Sequence, residues 1–357
     1  MTSYLLAGGG TAGHVNPLLS LADRIRFYEP ESRIFTLGTR EGLESQLIPA
    51  RGYELSFVPK LPFPRRPNGY AVAFPLRFLR AVEKVRKIIR ENNVEVVVGF
   101  GGYASAPAYV AARLEKISIV VHEANALPGM ANKIGAKFAH RVGVAFTEST
   151  LPGAILVGMP LRSEIENVAK VRNQDNARKH FGLDSDSFTL LVTGGSLGAK
   201  RINDTIEASR DLLSAAGVQV LHVVGGKSDL QPLKQKGYLR MTYCDRMDLA
   251  IAAADFAVSR AGATTVAELT AVGVPALYIP YAVGNGEQAH NLKSVIQAGG
   301  GVTCSDANFD REYVARELVP LLSSSKKLKE MAASAKSLGI LDGTERLYQL
   351  VRGVLTK

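Results

Sequence analysis

Short apolar runs recur along this chain, each ending in a glycine-rich or polar loop, and most are followed by a stretch whose apolar positions return with helical spacing. The first run, residues 4–6, leads into A-G-G-G-T-A-G-H-V-N-P at residues 7–17. Asn16 and Pro17 predict a helix start there, since Asn caps free backbone donors and Pro is preorganised at the first helical position. Residues 33–37, 95–98, 117–121 and 141–145 predict further strands, with a helix over 104–114. Gly158-Met159-Pro160-Leu161-Arg162 then interrupts the pattern as an interdomain hinge. The same grammar restarts in strand 188–192, the glycine loop T-G-G-S-L-G at 193–198 and a helix over 199–213. Strands 219–224, 256–259 and 275–279, helices 247–254, 266–272 and 287–298, and a basic helix 345–355 complete the reading. Strand, loop and helix in strict alternation predict parallel sheets with ligands at the carboxyl ends of the strands.

The two glycine loops carry the first chemical information. In residues 7–17, glycine lets backbone approach a ligand closely, and a helix N-terminus offers oriented N–H groups to an anionic or sugar-like group. His14 closes the loop with a side chain able to exchange a proton near neutral pH. Gly8, Gly10 and Gly13 also satisfy G-x-G-x-x-G, so a dinucleotide site competes. That reading wants a carboxylate at the end of the next strand, where this chain has Gly38-Thr39-Arg40; Arg40 keeps only the 2′-phosphate form, NADP, in play.

Composition narrows the class. The 357 residues suffice for two domains, and 46% hydrophobic with 21% charged is a globular balance. Two distant cysteines, Cys244 and Cys304, suit a reducing cytoplasm better than a disulfide framework. No apolar run approaches the roughly 18 residues of a membrane-spanning helix, and the chain runs straight into its first strand with no room for a signal peptide. The net charge of +10 is uneven: residues 1–160 hold nineteen Lys and Arg against twelve Asp and Glu. Within residues 64–90, Arg65, Arg66, Arg77, Arg80, Lys84, Arg86, Lys87 and Arg90 alternate with Phe63, Tyr70, Phe74, Leu76, Phe78 and Leu79. That mixture suits an anionic bilayer surface, ranked above nucleic acid because no nucleic-acid motif accompanies it; a solvated helix with its apolar side on its own core is the plainer alternative.

Together, G-G-T-A-G-H from Gly9, H-E-A-N from His122, V-G-M-P-L-R from Val157, G-G-S-L-G-A-K from Gly194, R-A-G-A-T-T-V-A-E from Arg260 and E-Q-A-H-N from Glu287 resemble the MurG family of GT-B glycosyltransferases, in order and along essentially the whole chain. The resemblance implies an α/β fold of two Rossmann-like domains with parallel sheets facing a central cleft. Residues 1–160 would form the acceptor and membrane side and residues 161–340 the donor side, with 341–357 a closing helix that packs back on the first domain. It implies inverting transfer of N-acetylglucosamine from UDP-N-acetylglucosamine to lipid I, undecaprenyl-diphospho-N-acetylmuramoyl-pentapeptide, giving lipid II. It implies a peripheral place on the cytoplasmic membrane face, contacted by Phe74, Arg77, Phe78, Leu79 and Arg80, with cell-wall synthesis proteins as candidate partners and no cofactor.

Residue chemistry agrees with these roles. Direct displacement needs a base for the acceptor hydroxyl and positive charge for the departing UDP. His14 is the candidate base, with Glu123 its alternative or orienting partner. Arg162 offers a guanidinium to UDP, and Ser196 with its neighbouring N–H groups suits a diphosphate. The Glu268 carboxylate can accept from both ribose hydroxyls, and Ala263, Thr264, Thr265, Val266 and Ala267 lead into it. Gln288 and Asn291 present amides on one face for sugar hydroxyls. By family position, Thr11, Ala12, Gly13 and Asn125 approach the nucleotide sugar, and Cys244 falls where uracil is contacted mainly through backbone. Asp184-Ser185-Asp186 precedes its strand and reads as a turn rather than a metal motif, so no metal is expected. The rivals are an NADP-dependent oxidoreductase, another GT-B glycosyltransferase, and a basic membrane-surface binding protein that keeps only the fold.

Overall fold

The computed structural model describes residues 1–64, 66–281 and 286–355. Its strands are β1 (Ser3–Ala7), β2 (Arg33–Gly38), β3 (Glu54–Phe57), β4 (Val96–Gly99), β5 (Ser118–Glu123), β6 (Arg141–Val144), β7 (Ala154–Leu156), β8 (Phe188–Thr193), β9 (Val218–Val223), β10 (Leu233–Gln235), β11 (Tyr238–Met241), β12 (Phe256–Ser259), β13 (Ala276–Tyr278) and β14 (Gly301–Thr303). They form two seven-stranded sheets, in the orders β3-β2-β1-β4-β5-β6-β7 and β10-β11-β9-β8-β12-β13-β14. The chain divides accordingly into one unit of Met1–Arg162 with Asp342–Lys357 and another of Ser163–Leu341.

Every pairing in the first sheet is parallel, and in the second only the edge hairpin β10–β11 is antiparallel. Parallel strands are covered by helices on both faces and therefore carry unbroken apolar runs. Val96-Val97-Val98 and Leu190-Leu191-Val192 are such runs, all buried. In the first unit, one apolar layer joins Leu5, Val97, Ile119 and Val121 to Val82, Val85 and Ile89 of the helix Gly69–Glu91. The opposite layer joins Tyr4, Leu6, Val96, Val98 and Val120 to Leu18, Leu21 and Ile25 of the helix Ala12–Tyr28.

Winding reverses once in each sheet, between β1 and β4 and between β8 and β12. At such a reversal the following connections leave toward opposite faces, opening a crevice at the carboxyl strand ends. The loops there are residues 8–11 and 100–104 in the first unit, and 194–199 and 260–262 in the second.

Three helix expectations need correction. The first helix begins at Ala12 with Thr11 at its cap, so Asn16 and Pro17 lie inside it. Pro17 is the sixth residue of that helix, and the hydrogen bond it cannot donate would have gone to the Gly13 carbonyl. The stretch 199–213 is two helices, Lys200–Ala208 and Arg210–Ala215, with buried Ser209 between them bonding its hydroxyl back to the Thr205 carbonyl at 2.8 Å. The stretch 287–298 likewise splits into Glu287–His290 and Lys293–Gln297.

The final helix, Gly343–Arg352, belongs to the first unit although the chain up to Leu341 belongs to the second. Thr344 Oγ1 donates to the Leu161 carbonyl at 3.0 Å, Arg24 pairs with Glu345 at 2.6 Å, and Tyr348 Oη donates to Glu29 at 2.9 Å. Leu347, Tyr348 and Val351 complete the apolar layer against the helix Ala12–Tyr28. Leu347→Ala is therefore expected to destabilise the first unit by about 2–5 kcal/mol, the usual cost of a Leu-sized cavity. Urea unfolding followed by a probe in that unit measures it; a midpoint equal to the parent's would show that the helix is not an integral layer.

Candidate active site

In the first unit, Thr11 is extended (φ −128°, ψ 161°) and starts the helix, which puts Ala12, Gly13 and His14 in its first turn. His14 Nδ1 lies 2.9 Å from the Gly9 carbonyl. A carbonyl only accepts, so Nδ1 carries the proton and Nε2 keeps its lone pair. The ring is half-buried. The loop after β4 closes onto this loop: a methyl group on Gly102, which has φ +78°, would overlap the Gly9 carbonyl oxygen. The Ser105 hydroxyl holds the pair together, accepting from Gly101 N–H at 3.0 Å and reaching the Ala7 carbonyl at 2.8 Å.

Glu123, at the end of β5, is 2% exposed. Its carboxylate accepts from the N–H of Asn125 at 2.9 Å, the N–H of Gly129 at 3.0 Å and Nδ2 of Asn132 at 2.9 Å. Asn132 is held in turn by Tyr109, whose Oη donates to Asn132 Oδ1 at 2.7 Å. Burial, reinforced by the nearby Glu123 charge, pushes the Tyr109 hydroxyl well above the usual phenol range and keeps it a donor. Glu123 thus ties down residues 124–129, which carry half-buried Asn125, while the partner of His14 Nδ1 is the Gly9 carbonyl. Asn132 and Tyr109 escaped the sequence reading because nothing in their local pattern distinguishes them from ordinary helix residues.

The second unit repeats the crowding with different parts. A Cβ on Gly198 (φ +88°) would overlap the Val224 carbonyl, and one on Gly225 (φ +87°) would overlap the Gly198 backbone. Exposed Ser196 lies four residues before the helix Lys200–Ala208, its carbonyl accepting from Gly226 N–H at 3.0 Å. Asn203 Nδ2 donates to the Val224 carbonyl at 2.9 Å, and His222 Nε2 lies 3.1 Å from Asn203 Oδ1, which makes Nε2 the donor there. His222 Nδ1 then accepts from Tyr238 Oη at 2.8 Å.

Glu268, 6% exposed, lies in the second turn of the helix Ala263–Val272, with Gly262 at the cap. Thr264, Thr265 and Ala267 are half-buried, while Ala263 and Val266 face the core. Gln288 and Asn291 brace the start of the same segment. Gln288 Oε1 accepts from the N–H groups of Ala261 at 3.2 Å and Tyr281 at 2.9 Å, and Asn291 Nδ2 donates to the Ala261 carbonyl at 3.2 Å. Part of their amide capacity therefore serves the backbone, and a sugar contact by Gln288 falls to its Nε2. Cys244 is buried, and Arg162 is half-buried at the last residue of the first unit's main segment. Asp184 accepts from the N–H groups of Asp186 at 2.8 Å and Ser187 at 3.1 Å, which hold its carboxyl below the usual range: it is a turn at the amino end of β8. Among the described residues, no group of three or more His, Cys, Asp or Glu is arranged to hold a metal ion.

The basic-aromatic stretch is the helix Gly69–Glu91, with Arg65 outside the described residues. Its second half is anchored by Ala81, Val82, Val85 and Ile89. In its first half Phe74 and Phe78 are half-buried and stack at 5.8 Å, so they are not the exposed face. That face is Val72 (83% exposed), Leu76 (56%) and Leu79 (60%), spaced as one helical stripe, with Arg77 and Arg80 also exposed. No helix among the described residues is long and apolar enough to cross a membrane.

Two doubly wound units, each with a glycine loop at its reversal point, define the GT-B class of nucleotide-sugar enzymes. The crystal structure of MurG from Acinetobacter baumannii is similar at TM-score 0.77 and 24% identity, covering 99% of this chain and 100% of its own. The MnaA–UDP co-structure from S. aureus is similar at TM-score 0.70 and 11% identity, covering 100% of this chain and 97% of its own. The family model described as glycosyltransferase family 28 N-terminal domain matches residues 4–144, and that of the C-terminal domain matches residues 189–347. A protein from Leifsonia xyli subsp. xyli is 54% identical over 99% of this chain and 98% of its own, and one from Streptomyces coelicolor is 44% identical over 97% and 96%. Both are named UDP-N-acetylglucosamine--N-acetylmuramyl-(pentapeptide) pyrophosphoryl-undecaprenol N-acetylglucosamine transferase. The chain belongs to this family of hexosyltransferases, within glycosyltransferase family 28.

That membership removes the oxidoreductase reading, and the Gly10 N–H of the G-x-G-x-x-G loop is already engaged within the protein, donating to Glu44 at 2.7 Å. Glu44 also went unread in the sequence, where G-T-R-E-G-L-E offers several charges and no local cue to which one turns inward.

One buried histidine in each unit makes stability depend on pH. Burial lowers His122 and His222 from the ordinary 6.5 to about 4. Between those values the unfolded chain binds the proton and the folded chain does not, so stability is intact above about 6.5 and falls as pH drops toward 4. The loss is expected to reach about 3 kcal/mol per histidine. Denaturant unfolding from about pH 7 to about pH 5 should show it, and His122→Gln should flatten the dependence for the first unit; an unaltered slope would contradict the assignment.

Proposed function

We infer that this chain transfers N-acetylglucosamine from UDP-N-acetylglucosamine to undecaprenyl-diphospho-N-acetylmuramoyl-pentapeptide, forming lipid II in peptidoglycan synthesis. The observation that carries this is full-length membership of a family whose relatives bear that activity in their names, together with a helix-mounted imidazole with a free Nε2 and a buried helix carboxylate at the reversal points of the two units.

The chemistry is one displacement with inversion. The acceptor 4-hydroxyl oxygen bonds to the sugar C1, its proton passes to His14 Nε2, and the C1–O bond to UDP breaks with its electron pair leaving on the diphosphate. His14 is preferred over Glu123 as the base because the Glu123 carboxylate already accepts three hydrogen bonds that close its own loop. Glu268 accepts from the ribose hydroxyls, and residues 263–267 line the approach. Ser196 and the N–H groups of its loop receive the diphosphate, joined by Arg162 as charge develops on UDP. Gln288 Nε2 and Asn291 serve the sugar, Cys244 contacts uracil through its backbone, and Thr11, Ala12, Gly13 and Asn125 border the reacting sugar. The exposed stripe Val72, Leu76 and Leu79, flanked by Arg77 and Arg80, enters the headgroup region of the anionic cytoplasmic leaflet. Apolar side chains there gain burial while the guanidinium groups meet lipid phosphates.

His14→Gln is expected to lower kcat by about a hundredfold or more while leaving UDP-N-acetylglucosamine affinity within about twofold, and Glu268→Ala to weaken UDP binding by about tenfold or more. Turnover with a short-chain lipid I analogue and calorimetry with UDP separate the two; if His14→Gln costs donor affinity alone, it is a ligand contact and not the base. Replacing Val72, Leu76 and Leu79 by Ser should reduce adsorption to vesicles containing phosphatidylglycerol without altering thermal stability. Undiminished adsorption would return that stripe to solvent.

A further inference from the structure

Glu44 opens the short helix Glu44–Ala50 and is 0% exposed. Its Oε2 accepts from Gly10 N–H at 2.7 Å, and its Oε1 accepts from the Thr39 N–H and Thr39 hydroxyl, each at 2.8 Å. Space for the carboxylate comes from absent side chains: a Cβ on either Gly9 or Gly42 would overlap its oxygens. Part of the glycine content that reads in sequence as a ligand cradle therefore houses an internal anion. A buried carboxylate is costly unless fully hydrogen-bonded, so its presence here calls for a reason beyond packing.

The reason lies in one peptide group. The N–H of the Gly9–Gly10 peptide donates to Glu44 at 2.7 Å, and the C=O of the same peptide accepts from His14 Nδ1 at 2.9 Å. A peptide unit is planar and conjugated, so an anion at its N–H raises electron density on its carbonyl oxygen. Hydrogen bonds in series strengthen one another on the order of 10–30% per bond in condensed phase. The carboxylate thus acts on the imidazole through one amide, as an orienting carboxylate elsewhere acts on a histidine by direct contact. Gly101 offers no side chain to cover Nε2; even a Cβ there would stand 3.1 Å from it.

We propose that Glu44 is a positioning residue for the transfer reaction: through the Gly9–Gly10 peptide it keeps the proton of His14 on Nδ1 and the lone pair on Nε2, where the acceptor hydroxyl is deprotonated. This rests on His14 being the base, and the test separates the two. Long-range 15N–1H NMR of the protein labelled in histidine, with His14 assigned by the loss of its signals in His14→Gln, reads the tautomer without turnover. The parent protein should show His14 as the Nδ1–H form. The near-isosteric Glu44→Gln should populate the Nε2–H form to roughly a third or more, and lower kcat about tenfold to a hundredfold with KM for UDP-N-acetylglucosamine within about twofold. Thr39→Val removes a donor to Glu44 and keeps the carboxylate, so it should retain the parent tautomer. A Glu44→Gln protein with the parent tautomer would overturn the proposal whatever its turnover. So would a Thr39→Val protein as mixed as Glu44→Gln, since the effect would then be loop packing and not charge. A His14→Gln enzyme with parent turnover would remove the base reading instead, leaving the tautomer measurement to judge Glu44 alone.

Discussion

At the carboxyl ends of β1 and β4 two backbone segments approach until only hydrogen atoms fit between them. Gly102 lies against the carbonyl of Gly9, and that carbonyl also receives the Nδ1 proton of His14. A contact this tight requires both loops to be held from behind, and buried polar groups do the holding. Ser105 ties residue 101 to β1, Glu44 seizes the N–H of Gly10, and Glu123 gathers residues 125, 129 and 132. Each of these groups is satisfied by donors within its own unit, which lets it stay buried. The imidazole is fixed by the fold before any ligand arrives.

The second unit solves the same geometric problem with a different network, backed by the Glu207 carboxylate 3.2 Å from Tyr238 Oη. Gly198 and Gly225 meet backbone to backbone, and the chain Tyr238–His222–Asn203 holds the Val224 carbonyl beside them. Glu268 sits on a helix at a different strand end, after β12, and is buried there.

Core packing and solvent exposure are separated along one helix. The second half of Gly69–Glu91 is a core element of the first unit, while its first half carries an apolar stripe into solvent beside two arginines. Because the anchored half is packed, the exposed half is presented at a fixed position relative to the glycine loops of the same unit.

The alternation of apolar runs and glycine loops was sufficient to establish two α/β units with parallel sheets, and the central strands β1, β2, β4, β5, β6, β8, β9, β12 and β13 were legible because burial on both faces demands a continuous apolar run. The edge strands β3, β7, β10 and β14 were not, since an edge position relaxes that demand, and β7 is exposed at all three residues; nor was β11, an inner strand next to the edge whose residues alternate between buried and half-buried. Motif order likewise sufficed for the family and its reaction. Local sequence could not say which charged residue turns inward. Glu44 and Glu41 look alike in the chain, and only packing against Gly9, Gly38 and Gly42 makes one of them a buried anion. Nor could it distinguish Phe74 and Phe78, which stack on one another, from Val72, Leu76 and Leu79, which face water. Periodicity assigns residues to a helix face, but which face meets the core is settled by contacts distant in sequence.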